Sequence, residues 1–111
     1  MLFRSGVEIT RAGNFADEPS PVADTASASF ALLARTVGEV FPEAVISTGL
    51  VIGATDNRNY AGLYDHRYNF EPFHLKPEDL QRIHGANERI GIVDYSRGIQ
   101  FYQRLIRNAA S

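Results

Sequence analysis

Between Pro42 and Gly53 lies Ala44-Val45-Ile46-Ser47-Thr48-Gly49-Leu50-Val51-Ile52, an apolar run rich in β-branched side chains. Such side chains lose rotamer freedom in a helix and pack well on a pleated surface. The run is short, bounded by turn-forming residues, and lacks the strict alternation of a strand with one wet face. It therefore predicts a strand covered on both faces. A strand of that kind needs neighbours at its edges and a layer above and below, so it commits the chain to an α/β architecture. It is also far shorter than the roughly 20 apolar residues that span a bilayer, so it predicts no membrane segment.

The flanking sequence supplies helices but few further strands. Residues 7–10, Val-Glu-Ile-Thr, alternate as a half-buried strand does, then give way to Gly13-Asn14 and Glu18-Pro19-Ser20-Pro21, a connection. Asp24 is placed to cap a helix in which Ala26, Phe30, Leu33, Val37 and Phe41 recur at helical spacing until Pro42 stops it. Residues 57–63 read as a brief helix, and Arg67-Tyr68-Asn69-Phe70 as a short strand ending at Pro72. Pro77 suits the first position of a helical turn that Gly85 ends, with His84 at the stop. Asp94 is placed to cap a last helix whose Tyr95, Ile99, Tyr102 and Ile106 share a face, widened by Phe101 and Leu105. Two or three strands make an incomplete sheet.

Composition narrows the partners. Net charge is −2, and the 11 Lys and Arg residues are scattered, so no basic stripe offers the phosphate-neutralising surface that nucleic acid requires. With 44% hydrophobic and 22% charged residues the chain has an ordinary globular composition. Cysteine is absent, which excludes disulfides and thiolate metal sites and leaves the compartment open.

Two segments carry candidate chemistry. His84 follows a helical turn and precedes a glycine, a place from which an imidazole can project into a cleft. On spacing alone, a single histidine without a second ligand nearby is more often an ordinary surface residue. Gly53-Ala54-Thr55-Asp56 sits at the end of the predicted strand, where clefts of α/β proteins open and where a residue without a side chain lets a substrate approach the backbone. A plain turn is the alternative. His66 and His74 read as loop residues.

Arg82-Ile83-His84-Gly85-Ala86-Asn87-Glu88-Arg89-Ile90, taken together with Gly53-Ala54-Thr55-Asp56-Asn57-Arg58-Asn59-Tyr60, resembles the closing segment of the aminoacylase/carboxypeptidase family of dinuclear zinc peptidases, and most of all its carboxypeptidase S branch. Tyr68-Asn69-Phe70-Glu71-Pro72 resembles a further segment of that branch, with Asn69 where an arginine is usual. The resemblance implies the C-terminal part of a three-layer α/β/α zinc-hydrolase domain, its sheet incomplete here. Residues 1–22 would be a remnant of a lid domain and residues 23–111 the C-terminal part of the catalytic domain. Met1 and its neighbours read as an interrupted chain rather than a natural start.

The same resemblance makes His84 a metal ligand of one of two zinc ions in the full-length protein. Gly53 and Thr55 become contacts of the substrate carboxylate, with Asp56 organising the turn and Ala54 standing where the family has a second glycine. Asn87 and Glu88 follow closely enough to reach back and fix the His84 ring, or else they form a surface cap paired with Arg82 or Arg89. The substrate implied is a small peptide or an N-acyl amino acid, and the implied homodimer would form through the lid. The family's His-x-Asp segment and Glu-Glu pair, which hold its first ligand histidine and its general base, do not occur in this sequence. No catalytic residue is assigned, and the chain by itself is expected to be inactive. The competing expectation is a small non-catalytic α/β binding or assembly domain.

Overall fold

A computed structural model of the chain describes residue 10, residues 20–51, residue 53 and residues 55–111. Residues 7–9 of the first expected strand, Ile52 at the end of the second, Ala54 and most of the expected lid remnant lie outside the described residues. Helix α1 spans Ala28–Val40, a 3-10 turn Asp56–Tyr60, the single-turn α2 Pro77–Leu80, and α3 Ile92–Ala109.

Helices α1 and α2 start where a side chain satisfies a free backbone N–H. Ser27 caps α1, its hydroxyl accepting from the Phe30 N–H at 3.1 Å. The expected cap, Asp24, lies upstream and accepts from the Ala26 N–H at 2.8 Å. At the other end the Phe41 N–H donates to the Val37 carbonyl at 2.7 Å, and Pro42, which has no N–H, cannot extend the ladder. The predicted face survives from Phe30 onward: Val37 is buried, and Phe30, Leu33 and Phe41 are half-buried. Pro77 opens α2 as anticipated, and the Asp79 carboxylate accepts from the Lys76 N–H at 3.0 Å. Helix α3 starts from Gly91, which puts Asp94 in its first turn rather than at its cap. A carboxylate there still favours the positive end of the helix dipole.

Helices α1 and α3 pack antiparallel. Arg97 donates to the Val40 carbonyl at 3.2 Å, Arg104 lies 3.5 Å from the Glu39 carboxylate, and Asn108 donates to the Thr36 hydroxyl at 3.0 Å. Thr36 is fully buried and returns its own proton to the Leu32 carbonyl at 2.8 Å. Phe101, also fully buried, centres an aromatic cluster, with ring centroids 6.2 Å from Phe41, 5.0 Å from Phe70 and 5.5 Å from Tyr102. The expected face of α3 is therefore corrected. Gly98 and Phe101 are buried, whereas Tyr95 and Ile106 are 56% and 68% exposed. Gly98 decides this, because without a Cβ it admits the Phe73 ring against the helix.

The expected α/β class is overturned. No strand or sheet occurs among the described residues, so there is no three-layer α/β/α arrangement; the regular elements are helices. Residues 44–51 are without ladder partners, and Val45 and Leu50 are 92% and 79% exposed. Residues 67–70, the other short strand expected within this stretch, are engaged elsewhere. Arg67 instead donates to the Asn57 carbonyl at 2.8 Å, Asn69 accepts from Asn57, and the Tyr68 hydroxyl donates to the Asp24 carbonyl at 2.6 Å and meets the Ser27 hydroxyl. These side chains tie the segment to the 3-10 turn and to the start of α1. The radius of gyration, 18.2 Å, exceeds the roughly 13 Å of a compact domain of about 100 residues. Among the described residues no helix is long and apolar enough to cross a membrane.

Candidate functional site

The segment after α2 is a tight turn whose centre is His84. The Arg82 N–H donates to the Asp79 carbonyl at 2.9 Å, and the Gly85 N–H to the Arg82 carbonyl at 2.8 Å. The Asp79 carboxylate also receives Arg82 at 2.6 Å, so it serves both the start of α2 and the turn that follows. His84 has φ 62° and is the one non-glycine residue with positive φ among the described residues. For a residue with a Cβ that region costs about 1–2 kcal/mol, and strain of this kind persists only where the surroundings hold it. The glycine beside it has a different task. A Cβ on Gly85 would stand 3.1 Å from the Arg82 carbonyl oxygen, so Gly85 gives close approach while His84 makes the sharp bend.

Glu88 holds this bend. Its carboxylate Oε2 accepts from the His84 backbone N–H at 3.1 Å, and its own N–H donates to the Gly85 carbonyl at 3.2 Å. The bond thus runs to the backbone of His84. Asn87 and His84 are exposed, and so the histidine sits at the surface of a braced turn.

The second motif is held from across the chain. Thr55 donates its hydroxyl proton to the Asn69 Oδ1 at 3.4 Å, and Asn57 donates to the same oxygen at 2.9 Å. Asn69 is the residue that sequence reasoning undervalued, noting only that it replaces an arginine. The legible signal was its place between Tyr68 and Phe70, whose rings anchor the segment on Phe30 and Phe101 at 5.6 and 5.0 Å. Gly53 is exposed, and a Cβ there would meet nothing within 4 Å. The local fold does not demand glycine at that position, which leaves an open approach to the backbone. Asp56 begins the 3-10 turn. Among the described residues no hydrogen bond of Thr55, Asn57, His84 or Glu88 joins the two turns.

An open cleft of about 340 Å³ lies beside the His84 turn, with His74, Lys76, Asp79, Arg82, Arg89 and Asp94 among its walls. Its charges are mixed, and His66 takes no part in it. Among the described residues no group of three or more His, Asp or Glu side chains could hold a metal ion. A zinc site takes three or four protein ligands. His84, an exposed histidine on a braced backbone, suits the role of one such ligand, and no set of that size forms around it among the described residues.

The chain is similar to three kinds of known protein. It is 40% identical over 102 residues to the Dictyostelium discoideum protein named probable carboxypeptidase S-like 2, covering 92% of this chain and 20% of that protein. It is 40% identical over 95 residues to the N-fatty-acyl-amino acid synthase/hydrolase PM20D1 of Homo sapiens, covering 83% of this chain and 19% of the relative. Carboxypeptidase S of Saccharomyces cerevisiae is 27% identical over 99 residues, with 82% of this chain and 17% of that protein covered. The chain thus spans about a fifth of the length of the curated relatives it matches. No family model matches it, and no solved structure does.

Proposed function

Because this chain belongs to the carboxypeptidase S group of metallopeptidases, we propose that it supplies the C-terminal part of a zinc-dependent amide hydrolase in which His84 is one metal ligand. The observation that carries this reading is the braced, left-handed His84 turn, which lies inside the motif and presents an exposed imidazole. A strained backbone at an exposed residue contributes nothing to packing, so its use lies in where it points the side chain.

The substrate class follows from what the relatives' names have in common. A carboxypeptidase and an N-fatty-acyl-amino acid hydrolase both break an amide whose nitrogen belongs to an amino acid carrying a free carboxylate. A small peptide or an N-acyl amino acid is therefore the proposed substrate. We assign that carboxylate to Gly53, whose backbone is unobstructed, and to Thr55, whose hydroxyl would turn its proton from Asn69 to the substrate; the open approach at Gly53 and the long 3.4 Å bond to Asn69 support this. When bound, zinc would polarise the amide carbonyl and make water nucleophilic near neutral pH.

The test is His84→Ala in the full-length protein. His84 is exposed, so the fold should persist while turnover falls severely and metal content drops from two zinc ions per chain. Two zinc ions retained with near-normal turnover would remove His84 from the site and end this reading.

A further inference from the structure

We infer that Glu88 is a positioning residue that aims the His84 imidazole by holding the His84 backbone, not the ring. The inference rests on the reading of His84 as a metal ligand and adds a residue through which that ligand is held.

Three observations converge on it. His84 occupies the left-handed region with φ 62°, which few residues that carry a Cβ adopt. His84 is exposed, so its side chain is not set by burial in a core, and its backbone governs the direction in which the Cα–Cβ bond leaves the turn. Glu88 holds the turn at two points, accepting from the His84 N–H through Oε2 at 3.1 Å and donating its own N–H to the Gly85 carbonyl at 3.2 Å. The carboxylate and the amide of one residue thereby close a small ring around the strained peptide.

The carboxylate matters because of its charge and its reach. A charged acceptor bonds a backbone N–H roughly twice as strongly as a neutral one. Without it the His84 N–H turns to water, φ can return to an ordinary region, and the Cα–Cβ bond that carries the imidazole swings with it. A glutamine keeps an oxygen at the same reach and should restore part of the hold. An alanine keeps none. Gly85 supports the same geometry from the other side, since its missing Cβ lets the chain close on the Arg82 carbonyl.

The experiment compares Glu88→Ala, Glu88→Gln and His84→Ala in the full-length protein, reading hydrogen exchange at the His84 amide in the metal-free protein and zinc retained after dialysis. Glu88→Ala should speed exchange at that amide and weaken zinc retention by about 10-fold or more, the range for residues that orient a metal-binding histidine. Glu88→Gln should fall between it and the parent. If His84→Ala loses zinc while Glu88→Ala keeps it, the positioning role is overturned and the ligand reading stands. If His84→Ala keeps its zinc, both fall together. Zinc lost in Glu88→Ala with unchanged exchange at His84 would mean that Glu88 acts by another route, which also overturns the inference. Should Glu88→Ala fail to fold, Glu88→Gln carries the same comparison.

Discussion

The Phe73 ring fills the space that a Cβ on Gly98 would occupy: such an atom would lie 2.5 Å from Phe73 Cε1. A glycine inside a helix normally costs about 1 kcal/mol relative to alanine, so Gly98→Ala would stabilise α3 if nothing stood against it. Overpacking a filled contact costs about 1–3 kcal/mol. The clash should win, lowering the denaturation midpoint of Gly98→Ala. Adding Phe73→Ala should reverse the sign of the glycine substitution, and a denaturant-melting cycle over the four variants measures it.

At His84 stability and function should separate. A glycine takes φ 62° without strain, so His84→Gly should be at least as stable as the parent, with a gain of up to about 1 kcal/mol. His84→Ala keeps the strain and gains nothing. Both variants lack the imidazole, so both should lose zinc in the full-length protein. Thermal melting of the chain set beside metal analysis distinguishes a strained functional residue from a structural one, for which His84→Gly would melt lower.

What the sequence disclosed, and what it hid, follows from the range of the forces involved. Helical spacing and Pro42 are local, and they located α1 with its Phe30, Leu33 and Val37 face. For α3 the same spacing offered two adjoining stripes, and the choice lay with Phe73, far away in sequence, which fits only against Gly98. The β-branched run from Ala44 to Ile52 was a sound sign of non-helical backbone over its described residues 44–51, yet a strand exists only through its partner. Here residues 67–70 are engaged with Asn57, Asp24 and Ser27. In the candidate site the motif around His84 could be read directly. The left-handed bend could not, because its commonest mark is glycine, and the neighbouring Gly85 drew the assignment to itself.

Asn69 joins Thr55 and Asn57 through one amide oxygen. It is exposed, so Asn69→Ala should cost no more than about 1 kcal/mol, the scale of a single net hydrogen bond. Its effect should appear in the turn. Hydrogen exchange over residues 55–58 should quicken, and in the full-length protein KM for a substrate with a free carboxylate should rise several-fold with kcat little changed. An amide-capped substrate should show no such rise.

Glu43 provides a pH signature for the contact between the end of α1 and α3. A hydrogen bond from its own backbone N–H, and after it the Arg97 guanidinium at 2.7 Å, hold its carboxyl below the usual carboxylate range. A folded-state pKa that is lowered means that the unfolded chain takes up its proton first as pH falls. The contact's stabilisation is therefore fully present above the ordinary glutamate pKa and fades as acid carries the pH through the lowered one. Because Glu43 is exposed, the effect should be small and weakened by salt. Melting curves stepped from about pH 7 to about pH 3, across the carboxylate range, should show a shallower acid decline for Glu43→Gln than for the parent. Arg97→Met should also lessen the decline and, in addition, lower stability at neutral pH, because the guanidinium lies 4.6 Å above the Phe41 ring and donates to the Val40 carbonyl.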